Sequence, residues 1–252
     1  MRFGGRAIPL SFLAGIALLI LACVDIPTGS SSVLSFQFEP LPSPSVVVGD
    51  TLRDSLGVAQ PIPYKAFNYS GEEVADPTVR FTALGRGIRV DSIKGFIIGD
   101  SVQPQAKIAA RLEDFTSTLA IAVTLRPDTA IGANLRDSVS YSLTDTLNVS
   151  PAVGIKLIHG PVAGDSAVAT YVVSFRIVSQ SDPLLARLVA ENNRPSTIDT
   201  TDASGIASRK IRIDVTKLTN PVDSVIVEAL ARYRGAPVRG TPARLVVRLK
   251  PK

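Results

Sequence analysis

Apolar and polar residues alternate over short stretches along most of this chain. Val79-Arg80-Phe81-Thr82-Ala83 and Ile121-Ala122-Val123-Thr124-Leu125 do so in part. Tyr171-Val172-Val173-Ser174-Phe175-Arg176-Ile177 is rich in β-branched and aromatic residues, and Ile206 to Ile213, Val225 to Ala231 and Leu245 to Leu249 behave similarly. A period of two is the signature of a strand with one buried face. Clusters of Gly, Pro, Asn, Asp and Ser separate the runs, the spacing of an all-β sandwich or barrel. Leu184 to Ala190 is the best helical candidate, and it is brief. Asp-Ser before an apolar residue recurs at Asp54, Asp91, Asp100, Asp137, Asp165 and Asp223. Both side chains bond the backbone at turns, so the repeat marks strand starts. Calcium sites are the other reading, but calcium needs six to eight converging oxygens and no compact acidic cluster appears.

The N-terminus breaks the pattern. Arg2 and Arg6 precede the uncharged segment Ala7 to Ala22, densest from Ile16 to Leu21. It falls short of the roughly 20 residues that cross a bilayer as a helix. A basic start, a short apolar core and a small final residue read as a secretory signal over 1–22, removed in the mature protein. Small polar residues then make 23–33 a flexible tether, and Pro40, Pro42 and Pro44 stiffen the approach to the first strands.

Composition sharpens this picture. Apolar residues make up 45% of the 252-residue chain, enough for packed cores, and the formal charge is +5. The leader carries two arginines and no acid, so the mature chain is near +3, too mild an excess to argue for nucleic acid. The single cysteine allows no internal disulfide, although export would permit one. Stability must therefore come from cores alone.

Ile20-Leu21-Ala22-Cys23 resembles the lipobox of bacterial lipoproteins. The resemblance implies lipid on the Cys23 sulfur, cleavage before it, and a membrane partner reached through that lipid. Two or three acyl chains would make release negligible, since one alone holds only marginally. An aspartate after the cysteine tends to retain such proteins in the inner membrane, so Val24 implies the outer membrane.

A second resemblance covers Val33 to Arg126, which is similar to bacterial immunoglobulin-like domains of group 2. Val46 to Leu52 matches the opening strand and turn, Tyr69 to Val74 a hairpin, and Val79 to Thr82 a core strand with Phe81 where tryptophan is frequent. Ile88 to Asp91 with Gly95, Ala106 to Ala110 and Ala120 to Leu125 match the remaining strands. Thr201-Asp202-Ala203-Ser204-Gly205-Ile206-Ala207 resembles the signature of group 1 domains of invasin-type adhesins, with Gly235 to Val238 and Ala243 to Leu249 closing the domain.

Catalytic chemistry is poorly supplied. Gly99-Asp100-Ser101 and Gly164-Asp165-Ser166 resemble the opening of an esterase family, but such a serine needs a base within hydrogen-bond reach and a third group to orient it. His159 is the only histidine, and Lys156 stands where that family has its aspartate. One histidine cannot build a zinc site; before Gly160-Pro161 it reads as an exposed turn residue. Glu72-Glu73 and Glu113-Asp114 are adjacent acids on loops, not the opposed pair that glycoside cleavage needs. Asn68-Tyr69-Ser70 and Asn148-Val149-Ser150 match the glycosylation acceptor. From Arg232 to Lys252 the chain has seven basic residues and no acid. Arg244, Arg248 and Lys250 punctuate an apolar strand and read as its solvated face. Arg232, Arg234 and Arg239 flank a turn and are the better ligand-binding candidates, toward a protein or an acidic glycan.

These readings combine into an all-β chain: a signal peptide at 1–22, a lipidated tether at 23–33, and immunoglobulin-like sandwiches at 34–130 and 148–252 joined by a linker at 131–147. No catalytic residue, metal ligand, cofactor or nucleic-acid partner is expected. The resemblances imply a non-catalytic envelope or surface module for binding, adhesion or spacing, or else a periplasmic accessory subunit that scaffolds a partner or binds an acidic envelope glycan.

Overall fold

The computed structural model describes residues 33–145, 147–161, 166–220 and 222–252. The signal segment, Cys23, nearly all of the tether and Gly164-Asp165 lie outside the described residues.

The alternating runs become strands. The first domain contains β1 (Val33–Phe38), β2 (Ser45–Val47), β3 (Tyr64–Asn68), β4 (Arg80–Leu84), β5 (Ile88–Val90), β6 (Ile97–Gly99), β7 (Gln103–Leu112) and β8 (Phe115–Thr124). One sheet runs β2-β8-β7-β4, with β2 parallel to β8. The opposing layer pairs β1 with β3 and β5 with β6, and the Pro61–Phe96 bridge joins the two pairs.

The second domain contains β9 (Thr129–Asn134), β10 (Arg136–Tyr141), β11 (Asn148–Val149), β12 (Val153–His159), β13 (Ser166–Ala167), β14 (Val172–Ser179), β15 (Ala186–Val189), β16 (Ile198–Thr200), β17 (Ile206–Ile213), β18 (Asp223–Leu230), β19 (Arg232–Tyr233), β20 (Ala236–Pro237) and β21 (Ala243–Pro251). One sheet runs β10-β21-β18-β14-β16, with β10 parallel to β21. In the other, β12 lies between β9 and β17, and β15 flanks β17. Each domain therefore packs a layer of the A-B-E-D kind against a layer of the A′-G-F-C kind, the immunoglobulin-like arrangement.

Each sandwich has its own core. The first is built on Leu52, Ile62, Ile97, Ile108 and Phe81. The Phe81 ring, 2% exposed, continues a line of aromatic contacts through Tyr64 to Phe36, with centroids 5.8 and 5.7 Å apart. The second core is larger and mostly aliphatic, including Ile155, Leu157, Ile211, Val227, Leu245 and Leu249.

Two expectations are corrected. The stretch 131–147 is not a free linker: it holds the end of β9 and all of β10, and Val139 and Tyr141 sit in the second core. Its polar look comes from Arg136, Ser138 and Ser140, which alternate outward while their neighbours turn in. The true connection is short, Leu125 to Asp128, and Leu125 already packs on the second core. Leu184 to Ala190 is a turn followed by β15, not a helix. Its spacing suits either state, and pairing of Ala186 to Val189 with Ile213 to Lys210 decides for the strand.

Candidate functional site

A constellation of polar groups lies where the domains meet. The segment after β2 supplies Asp50, Arg53 and Gly57; the β19–β20 hairpin supplies Tyr233, Arg234 and Gly235. That hairpin turns on two residues with positive φ, Arg234 (50°) and Gly235 (80°), the two-residue turn whose twist suits paired strands. It thereby projects Arg234 toward the first domain.

Asp50 is the centre. Its side chain is 3% exposed. Oδ2 accepts from Arg234 Nε at 2.8 Å, and Oδ1 accepts from Arg53 Nη2 at 2.9 Å and from the Thr51 amide at 2.8 Å. Burial pushes the Asp50 carboxyl up, but hydrogen bonds from Arg234 and Arg53 outweigh it and hold it well below the usual carboxylate range. A carboxylate this buried is tolerated because both oxygens are satisfied, while the Arg234 side chain stays half exposed. Arg53 also donates through Nη1 to the Gly57 carbonyl at 2.8 Å, shaping the loop that meets the hairpin. The Arg234 guanidinium lies 5.4 Å from the centre of the Tyr233 ring.

Around this pair the backbones touch. A Cβ on Gly57 would come within 2.2 Å of the Gly235 nitrogen, and both glycines have positive φ. Only glycine allows the two chains to approach this closely. The Ser45 hydroxyl donates to the Thr170 carbonyl at 2.6 Å across the domains, and the Tyr171 hydroxyl donates to the Arg232 carbonyl at 2.6 Å. Burial pushes the Tyr171 phenol up, out of its ordinary range. A cleft of about 170 Å³ remains beside these contacts, between Val46, Tyr171, Ile198 and Tyr233.

The arginines read from the sequence fall in different places. Arg234 spends its guanidinium on Asp50. Arg232 donates through Nη1 to the Gly235 carbonyl of its own hairpin at 2.8 Å. Arg239 is exposed, on backbone bridged to Thr129. Asp50 was legible only as a turn residue; an acid at a turn with an arginine three places on was the available signal.

His159 ends β12, and its Nδ1 lies 2.8 Å from Asp128 Oδ2 and 3.0 Å from the Arg126 carbonyl. Asp128 Oδ2 also accepts from the Gly160 amide at 2.9 Å. An acid thus orients the ring although Lys156 occupies the position three residues before it. Ser166 stands opposite His159 in the β12–β13 pair, but no hydrogen bond among the described residues joins its hydroxyl to the ring. Ser101 belongs to the other domain, where Asp100 takes Arg89 Nε at 2.8 Å. Among the described residues no group of three or more His, Cys, Asp or Glu could hold a metal.

The Asp-Ser repeats among the described residues fall at turns and strand starts. Asp54 Oδ1 accepts from the Leu56 and Val58 amides, and Asp91 Oδ1 from those of Ile93 and Lys94. Both glycosylation-type asparagines are buried: Asn68 Oδ1 accepts from the Ser70 and Glu72 amides, and Asn148 Oδ1 from that of Ser142. Neither amide is presented to an enzyme.

No protein-family model matches the chain. No curated protein matches it in sequence. Solved structures do align with it. Domains 4 and 5 of the surface-layer protein SbsC do so at 12% identity over 88% of this chain and 99% of that one, with a TM-score of 0.31. Human protocadherin-24 EC1-2 aligns at 12% identity over 88% and 100%, with a TM-score of 0.27. An endo-fucoidan hydrolase of glycoside hydrolase family 107 aligns at 10% identity over 88% of this chain and 29% of that one, with a TM-score of 0.40. The immunoglobulin-like strand order above is what places this chain among all-β sandwich proteins.

Proposed function

We propose that the protein is a non-catalytic lipoprotein of the cell envelope or cell surface, in which two coupled sandwiches form a rigid spacer and binding module. One observation carries this reading: Arg234 reaches across the domain boundary to a buried Asp50. A connection as short as Leu125 to Asp128, an ion pair to a buried carboxylate and a glycine-to-glycine contact together oppose bending. Rigidity of that kind serves presentation at a distance from an anchor, whereas domains that must close on a substrate need a hinge. Lipid on Cys23 supplies the anchor, and Val24 directs it to the outer membrane.

The test of the anchor is Cys23→Ala followed by membrane fractionation. The variant should appear in the soluble fraction; sedimentation with membranes would sink the lipid anchor. Protease added to intact cells separates surface display, which predicts cleavage, from a periplasmic accessory, which predicts protection. The non-catalytic reading has its own test. A fluorophosphonate probe is expected to leave Ser166 unlabelled, and labelling that disappears in His159→Ala would make this an enzyme.

A further inference from the structure

The outer face of the β10–β21 pair carries an arrangement that neither strand shows alone. Along β21 the odd-numbered residues Leu245, Val247 and Leu249 point into the core, and Arg244, Arg248 and Lys250 point out. Val246 breaks that outward row of cations. The parallel register fills the gap, because Arg136 of β10 lies beside Val246, Ser138 beside Arg248 and Ser140 beside Lys250. Every outward level from 244 to 250 therefore carries one cation: Arg244, Arg136, Arg248 and Lys250. Alternate strand residues lie about 6.6 Å apart, so the row extends over about 20 Å.

Three of the four cations are uncommitted. Arg244 faces Glu228 at 3.8 Å, and Glu228 is already held by Arg176 at 2.7 Å. Arg136, Arg248 and Lys250 form no ion pair with another described residue. Asp137, between Arg136 and Ser138 on β10, has its carboxylate engaged: it accepts from the Ser138 amide and the Asn134 side chain at 2.7 and 2.8 Å. Arg136, Asp137, Ser138, Val246, Arg248 and Lys250 line one open groove of about 480 Å³, so three cations outnumber its single, hydrogen-bonded acid.

We infer that this groove binds an extended acidic polysaccharide, its carboxylate, sulfate or phosphate groups meeting the cations and its hydroxyls meeting Ser138 and Ser140. A single line of charge along a groove suits a linear polyanion. A flat anionic bilayer would call for cations spread over the sheet, and the neighbouring β18 offers Glu228 and the apolar Ile226 and Leu230 instead. The inference rests on the binding-module reading above and gives that module its ligand class.

The experiment uses the chain carrying Cys23→Ala, which keeps attached lipid out of the measurement, with polygalacturonate, neutral dextran and phosphatidylglycerol vesicles as probes. Polygalacturonate should bind and dextran should not, and binding should weaken as salt screens the exposed charges. Arg136→Ser/Arg248→Ser/Lys250→Ser should weaken it about tenfold, the scale of three exposed ion pairs. Arg136→Lys/Arg248→Lys should retain most of it. Arg86→Ser/Lys94→Ser/Lys107→Ser, which removes equal charge from the first domain, should change it less than about twofold. Matching melting curves show that the variants fold. Equal loss in both triple variants, no binding at low salt, or binding to vesicles without binding to polygalacturonate would each overturn the inference. Those outcomes leave the Cys23 fractionation result standing, and failure of that anchor leaves the groove intact.

Discussion

The same parallel strand pair occurs twice in this molecule with opposite fates. In the first domain it is β2 with β8: Ser45 to Val47 are all buried, and the Ser45 hydroxyl reaches into the second domain. In the second domain it is β10 with β21, whose outer face meets water and carries Arg136, Arg248 and Lys250. Topology is shared, so what differs is the cover. Where a neighbour packs on the pair, the sequence supplies small and apolar residues and one buried acid. Where no described residue covers its outer face, charge occupies every outward level. Charge on an exposed edge also discourages unwanted strand pairing, which lets the second domain keep that edge open.

The comparison can be broken most forcefully through the cores. Phe81→Ala should destabilise the first domain by about 3–5 kcal/mol and leave the larger second core folded. Calorimetry should resolve two transitions, with only the lower one shifted; a single shifted transition would mean that the junction makes the domains one cooperative unit. Leu245→Ala should act in the reverse sense, at about 2–5 kcal/mol, in the second domain alone.

Next in size is the junction. Asp50→Asn leaves two guanidiniums that can turn to water, so the loss is about 1–3 kcal/mol. Cleavage between Leu125 and Asp128 in limited proteolysis should accelerate while each core persists; an unchanged rate would show that the covered pair does not depend on Asp50. Gly57→Ala tests the same contact without touching charge, because its Cβ would fall on the Gly235 backbone.

Acid offers the mildest perturbation. The Asp50 carboxyl is depressed in the folded protein, so its stabilisation is complete above the unfolded value near 3.9. It is lost as pH falls below about 4 toward the folded value. Small-angle scattering should therefore report the same interdomain shape from pH 5 to 8 and an opened one only in stronger acid. Opening already at pH 6 would show that the junction does not depend on the Asp50 ion pair.

Much of the fold was legible because strand alternation and turn chemistry are local. Val79 to Thr82 and Leu245 to Leu249 declared their buried faces by their own spacing, and Asp54 and Asp91 announced turns that their side chains do cap. The failures share one cause. Residues 131–147 read as linker because only Val139 and Tyr141 mark the inward face, and Leu184 to Ala190 fits two periods equally well until β17 lies beside it.

The binding surfaces were less legible. Arg234 read as a ligand contact, yet its partner lies 184 positions away in the chain. Arg248 and Lys250 read as an ordinary solvated face, and Arg136 drew no attention. Local order along the chain thus determined the strands and the turns, since each depends on neighbours within a few residues. The tertiary structure alone decided which arginine is consumed by a buried carboxylate and which cations line a groove, because charge acts through space and only folding sets which distant side chains share it.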